Sequence, residues 1–543
     1  MAKAQPLTPS TSRRQFLGGT CLAALGSAIP ALAKGAPKTQ DDPFELNEVT
    51  ISQLQDGMQT GKYTARALVE AYLARIEKID RHGPALNSVI ELNPDALALA
   101  TEADRQRTDK RVSGPLHGIP VLIKDNIDTA DRMHTTAGSL ALIEAKPSKD
   151  AFLVSKLRQA GAIILGKSNL SEWANIRCSY STSGWSGRGG QTKNPYALDR
   201  NPCGSSSGSA VAVAANLCAV AVGTETDGSI VSPASANGIV GLKPTVGLIS
   251  RSGIIPISHS QDTAGPMART VRDAAILLSV LAGKDPEDSA TSDGAFHQEL
   301  DYTTQLDAKG LKGARIGLVR SFFGFHDHVE VVMTKALQVL KDQGAELIDP
   351  VEISNMDKVN EAEQTVLHYE LKADMNAYLA RLGKNAPVHS LKEIIDFNLR
   401  NKDKEMIYFG QDTFEKAEAK GPLTSFEYQE ALARCRRLTR TDGIDAAMEK
   451  HKLDALIAPT LGPASVIDWI NGDRWLGGSS TPAAVAGYPS ISIPAGEVFG
   501  LPVGLLFFGR AWSESTLLRL GYAFEQATKH RTSPKFLPTV RLS

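Results

Sequence analysis

The sequence predicts an α/β fold: one large domain on a mixed, largely parallel central sheet, covered by helices on both faces and carrying a helical insertion. Three observations predict it. Short apolar runs of strand length alternate with helical stretches from about residue 119 onward. That alternation is the signature of strands buried under helices on both sides. Between about residues 283 and 451 the texture changes to long, charged helical sequence, and strand character then returns.

Bulk properties set the bounds. With 543 residues, 42% hydrophobic and 22% charged, the chain can bury a large core. A net charge of −1 gives no footprint for nucleic acid or an anionic membrane. Past the N-terminal segment no run approaches the roughly 18 apolar residues that a spanning helix needs.

The elements follow in chain order. "SRRQFLGG" leads into a modest apolar run closing on Ala31-Leu32-Ala33. Residues 1–33 therefore read as a twin-arginine export signal cut after Ala33, and the mature protein as periplasmic or secreted without a membrane anchor. Residues 34–44 read as a polar linker and 45–540 as the folded domain. Cys178, Cys203, Cys218 and Cys435 form no C-x-x-C pair, and a protein exported folded builds its core in a reducing compartment, so no disulfide is required. From 47 to 111 the pattern is helical, with Leu68, Tyr72, Ile76 and Ile79 on one stripe. "IPVLIK" (119–124) is a strand, 150–161 a helix ended by Gly161, 162–166 a second strand, "SAVAVAANL" a small-residue helix and 219–224 a third strand. "ARIGLV" and a helix over 329–343 precede the charged stretch 360–440, the bulk of an insertion or lid at about 350–445. "LDALIAPT", "SISIP" and "LPVGLLFFG" return to strand, and 514–530 closes as a helix.

Two motif matches fail on context. "GAIILGKS" (161–168) fits the phosphate-loop spacing, but its middle residues form a strand rather than a compact turn, and a helix precedes it. "GSSSG" (204–208) fits the nucleophile elbow, but a polar, proline-containing loop precedes it where an elbow needs a strand.

The serines nevertheless invite chemistry. A nucleophilic serine needs a base, and no histidine lies between His134 and His259. Lys124 closes an apolar strand. Desolvation there disfavours its charged form and makes the neutral amine a candidate base, unless the side chain snorkels to the surface. Ser205 lies in the loop before the small-residue helix, and Ser229 just beyond the strand ending at Thr224. Ligand sites gather at such carboxyl ends of parallel strands. The turn Thr226-Asp227-Gly228-Ser229 can present consecutive backbone N–H groups as an oxyanion hole, or can be a tight connection only.

"GIPVLIKDN", "CGSSSGSAVAVAANLCAVAVGTETDGSIVSPASANGIVGLKPT" and "SQDTAGPMART" together resemble the amidase signature family, in family order over a core at 118–270. The resemblance implies a Ser-Ser-Lys triad: Lys124 as base, Ser205 as bridging serine and Ser229 as nucleophile, with an acyl-enzyme and no cofactor or metal. Asp227 replaces a glycine frequent in the family, and Val231 an arginine. "GTETDGSIV", residues 171–195 and "AAVAGYPSISIPAG" resemble the bacterial peptide amidases most. That likeness implies a C-terminally amidated peptide or amino-acid amide as substrate, with a broad aliphatic or aryl amidase as the alternative. Further alternatives are a non-catalytic exported binding protein and an amidotransferase A-type subunit. Ser206, Trp185, Gln191 and Trp475 are the candidate substrate contacts; for "GWSGRGGQ" the alternative is a supporting loop, and for Trp469 and Trp475 loop packing. A monomer is expected, a homodimer being the alternative.

Overall fold

In the computed structural model the described residues are 44–542, apart from 295, 296, 300 and 354. The expected export signal, and the linker up to residue 43, lie outside them. An eleven-stranded sheet forms the centre: β1 Val89–Leu92, β2 Pro120–Lys124, β3 Ile163–Ser168, β4 Val220–Glu225, β5 Val240–Lys243, β6 Thr263–Ala268, β7 Arg315–Val319, β8 Glu346–Val351, β9 Ala455–Pro459, β10 Ser490–Val498 and β11 Leu501–Phe508. Their spatial order is β1-β3-β2-β4-β6-β5-β10-β11-β9-β7-β8. The sheet is mixed, and its parallel pairing is confined to two blocks, β3-β2-β4 and β9-β7-β8. The strands between them, and β1 on its edge, pair antiparallel. The parallel share is smaller than strand-helix alternation suggests, because β10 and β11 join through a hairpin turn and β5 and β6 through a loop, without crossover helices. From Phe44 onward the chain folds as a single unit.

The helical stretch read over 47–111 needs a correction. Helices Ile51–Gln59, Ala65–Arg75 and Ala96–Thr108 occupy most of it, but the edge strand β1 interrupts them. A four-residue strand is too short to impose a visible period of two. Leu68, Tyr72, Ile76 and Ile79 are buried, as their stripe predicts. The main apolar core gathers the strands with helices such as Phe152–Gln159, Val271–Leu281, Asp327–Asp342 and Glu514–Thr528.

The insertion is helical from Met356 to His451, its longest element being Met356–Arg381. It buries Leu371, Met375 and Phe414 against Ala137, Leu142, Leu170 and Trp173 of the segment 118–270. Among the described residues no helix is long and apolar enough to cross a membrane, and the four cysteines are buried free thiols.

Candidate active site

The site is assembled at the carboxyl ends of β2 and β4. In β2 every residue is buried, so the sheet carries Lys124 into the interior instead of letting it reach solvent. Register pairs Ile123 with Val222, which brings Lys124, one residue on, and Thr224, two residues on, to adjoining strand ends. Lys124 Nζ lies 2.8 Å from Ser205 Oγ, 3.1 Å from Ser206 Oγ and 2.9 Å from Thr224 Oγ1. It makes no ion pair among the described residues. Burial pulls its pKa down to about 7, the more distant Asp262 and Glu225 opposing only in part. The uncharged amine is therefore accessible near neutrality.

The serine loop is held by the helix that follows it. Ser207–Ala214 consists of small, fully buried residues. At Gly208 a Cβ would lie 2.2 Å from Ser88 O, so only glycine permits this approach. Ser206 donates to Thr224 O and accepts from Thr224 N, and its own N–H donates to Ser229 O at 3.2 Å. Ser206 thus belongs to the scaffold that binds the two loops together, rather than to a substrate-contacting surface.

Ser229 enters on the turn after β4. Glu225, the last residue of β4, accepts the N–H groups of Ile230 and Val231 on Oε2 at 2.7 and 3.0 Å, fixing the start of helix Val231–Ala236. The preceding N–H groups of Thr226, Asp227, Gly228 and Ser229 have no acceptor among the described residues. Gly228 makes the turn possible with φ +76°. Lys124 and Ser205 are wholly buried, while Ser229 keeps 8% exposure, so solvent and small molecules meet Ser229 first.

Residues that sequence reasoning missed surround this centre. Asn126 donates to Thr224 Oγ1 at 3.0 Å; its signal was its place in the "KDN" following the strand. Thr226 Oγ1 donates to Asp262 at 2.6 Å. Asp227 accepts from Ser480 Oγ and Thr481 Oγ1 at 2.6 and 2.7 Å. No local pattern announces partners so distant in sequence. A cavity of about 290 Å³ opens beside Thr224, Glu225 and Thr226 and runs toward Ile254 and Tyr378. Asn126 Oδ1 and Glu225 Oε1 are buried without hydrogen-bond partners.

The other candidate contacts scatter. Trp185 is buried edge-on against Phe409 and Tyr408, a packing role. Gln191 is half-buried, donating to Ser183 O and accepting from Trp469 Nε1. Trp475 is 54% exposed, on a crevice of about 30 Å³ that also touches Cys203 and Ala236. The phosphate-loop match is a strand here: Lys167 of β3 is buried, donating to Ile127 O and Thr135 Oγ1.

The pattern of the Amidase family matches residues 67–518. This chain belongs to the amidase signature family. The amidase shares 52% identity with the native peptide amidase of Stenotrophomonas maltophilia, over 91% of this chain and all of that one, with a TM-score of 0.87. An amidase family protein of Bacillus anthracis is 39% identical over 90% of this chain and 93% of its own, with a TM-score of 0.82. A glutamyl-tRNA(Gln) amidotransferase subunit of Thermoanaerobacter pseudethanolicus is 35% identical over 92% of this chain and its whole length. The chain is a hydrolytic amidase with the fold of the peptide amidase.

Proposed function

We propose that this amidase removes the terminal amide from C-terminally amidated peptides or amino-acid amides, giving the free acid and ammonia. Catalysis runs through Lys124, Ser205 and Ser229. The observation that carries the mechanism is a buried amine with no ion pair among the described residues, 2.8 Å from Ser205 Oγ. Neutral Lys124 takes the proton of Ser205, which takes that of Ser229 as Ser229 Oγ attacks the amide carbon. The carbonyl oxygen gains the charge and is held by N–H groups of the 226–229 turn; each such donor is typically worth about 3–4 kcal/mol. The proton returns through Ser205 to the leaving nitrogen, the C–N bond breaks, and ammonia departs. Water then adds to the acyl-Ser229 ester by the same relay and releases the acid.

Similarity at 52% identity over nearly the whole chain to a peptide amidase supports the substrate class. Similarity to amidotransferase subunits favours a second reading, in which the chain works only with protein partners. One experiment separates them: ammonia release by the purified chain from an amidated dipeptide, beside amine release from an anilide. Turnover of the dipeptide amide alone is expected, and is abolished in Ser229→Ala. Equal turnover of the anilide would make this a broad amidase; no turnover of either would favour the reading in which protein partners are required. The protein is further proposed to be a monomer exported through the twin-arginine route. Cleavage after Ala33 in the exported form, lost on replacing Arg13 and Arg14 by Lys, is the check.

A further inference from the structure

The nucleophile turn is held from outside by a residue of the insertion. We propose that Glu363, on helix Met356–Arg381, is a positioning residue for the 226–229 turn: its neutral carboxyl group donates to Asp227 and clamps the turn to the insertion. The inference rests on the nucleophile assignment above.

Four N–H groups of the turn have no acceptor among the described residues, so it lacks the internal hydrogen bonds that would fix its shape. Its rigidity must come from anchors. Thr226 Oγ1 binds Asp262, whose carboxylate also accepts the N–H groups of Ile257 and Ser258. Gln261 Nε2 lies 3.3 Å from Thr226 O and 2.8 Å from Glu363 Oε1. Ser480 and Thr481 donate to the two oxygens of Asp227, and the Glu363 carboxyl group, held by Gln261, lies within reach of the same carboxylate. The loop carrying Gln261 and Asp262 is itself tied to the same helix, through Ser258 and Ser260 on Glu370 and His259 on Asp374. The helix thus grips the turn directly at Asp227 and indirectly through this loop.

The chemistry of the pair decides where the proton sits. Two carboxylates in contact and out of water cannot both be ionised. Burial raises the pKa of Asp227 as well, but Asp227 accepts two hydroxyl hydrogens, which oppose that rise and favour its charged form over that of Glu363. Glu363 is 5% exposed, and burial and the charge of Asp227 push its pKa well above the carboxylate range. Glu363 therefore carries the proton and donates it. An ionised Asp227 beside an oxyanion site would oppose catalysis were its charge not spread over three donors. Losing the Glu363 proton as pH rises sets two carboxylates against each other and pulls the turn away.

Other groups face the pair. Lys243 of β5 attracts Asp227, Glu225 of β4 repels it, and Cys435 of helix Phe426–Arg436 faces Glu363. Burial brings Lys243 to about 8, so its own loss of charge as pH rises also weakens the hold on Asp227. Glu363→Gln separates the two, since glutamine donates at every pH and leaves Lys243 in place.

The test is the pH dependence of Ser229 labelling by a fluorophosphonate, with kcat and KM on an amide substrate alongside. Wild type is expected to lose labelling rate on an alkaline limb. Glu363→Ala lowers the rate at least tenfold, mainly in kcat, with KM within about threefold. Glu363→Gln restores most of that rate and abolishes the limb. A limb unchanged in Glu363→Gln assigns it to Lys243 and overturns the inference, as does a Glu363→Ala rate within twofold of wild type. No labelling of Ser229 in wild type would sink the nucleophile assignment instead, and this inference with it. Thermal melting of both variants shows whether lost rate is lost fold; a folded Glu363→Gln keeps the comparison decisive.

Discussion

At Lys124 folding and function make opposite demands on one amine. Burial with no ion pair among the described residues penalises the ammonium form, and the same penalty supplies a neutral base near pH 7. The sign follows directly. Activity needs the uncharged form, so kcat/KM is expected to rise with pH through a limb near 7, and Lys124→Ala to lose about 10²–10⁴-fold. A pH profile flat from 6 to 8 would contradict the assignment. Stability runs the same way. The unfolded lysine keeps its proton to about 10.5 while the folded one gives it up near 7, so the unfolded state binds more protons between these values and stability rises with pH there. Lys124→Met has no proton to lose; denaturant unfolding at pH 7 and 10 should show this rise diminished. Burial of this residue was only half legible in the sequence. "IPVLIK" marks an apolar strand, but whether the last side chain turns inward depends on the serine loop that covers it.

At the scale of elements, the site is a set of strand ends and one turn, and they were not equally readable. β2, β3 and β4 stand within a residue or two of their expected bounds, since each is a continuous apolar run between turn signals. β5 and β6 carry glycine, proline and lysine, and so did not announce themselves as strands. Thr224 was legible only as the end of a strand; its contact with Lys124 is a product of parallel register between segments 100 residues apart. The partners of Asp227 lie some 250 residues away, where no local rule reaches. The turn itself makes a sharp prediction at Gly228. Its φ of +76° suits glycine, and a Cβ would lie 2.9 Å from both Ser232 Oγ and Ser480 Oγ. Gly228→Ala must shift the turn, moving N–H donors aimed at the developing oxyanion. On the order of 10²-fold loss in kcat is expected, the range for one such donor, with the far-ultraviolet dichroism unchanged. Activity within threefold of wild type would show that these amides do not hold the oxyanion.

At the scale of the molecule, the insertion is fastened to the signature segment by apolar packing and by buried charge. Its existence was legible from the change of texture, but its attachment was not, because Glu172, Arg177 and Glu405 look like ordinary surface residues in sequence. Arg177 is almost fully buried, with Nε 2.8 Å from Glu172 Oε2 and Nη1 donating to Glu405 O at 2.7 Å. Glu405, from the insertion, reaches Leu140 N at 2.6 Å, and Arg177 lies over the Phe409 ring at 4.9 Å. Burial, and then the charge of Glu405, push Glu172 well above the carboxylate range, and Arg177 is the cation that opposes this. Removing one partner of a buried ion pair leaves uncompensated charge and typically costs about 3–5 kcal/mol. Arg177→Ala is therefore expected to lose that much stability in urea unfolding at pH 7. Without Arg177 the Glu172 carboxyl is raised further still, and a carboxyl whose folded pKa is raised stabilises below its unfolded value and loses that contribution on the way up, so the variant goes on losing stability above the pH at which the wild-type carboxyl ionises. The deficit should widen as pH rises past the ionisation of the wild-type carboxyl, and hydrogen exchange should quicken first around 402–414, where the insertion meets this cluster. A loss below 1 kcal/mol, or one independent of pH, would mean that apolar packing of Phe414 and Trp173 alone holds the insertion in place.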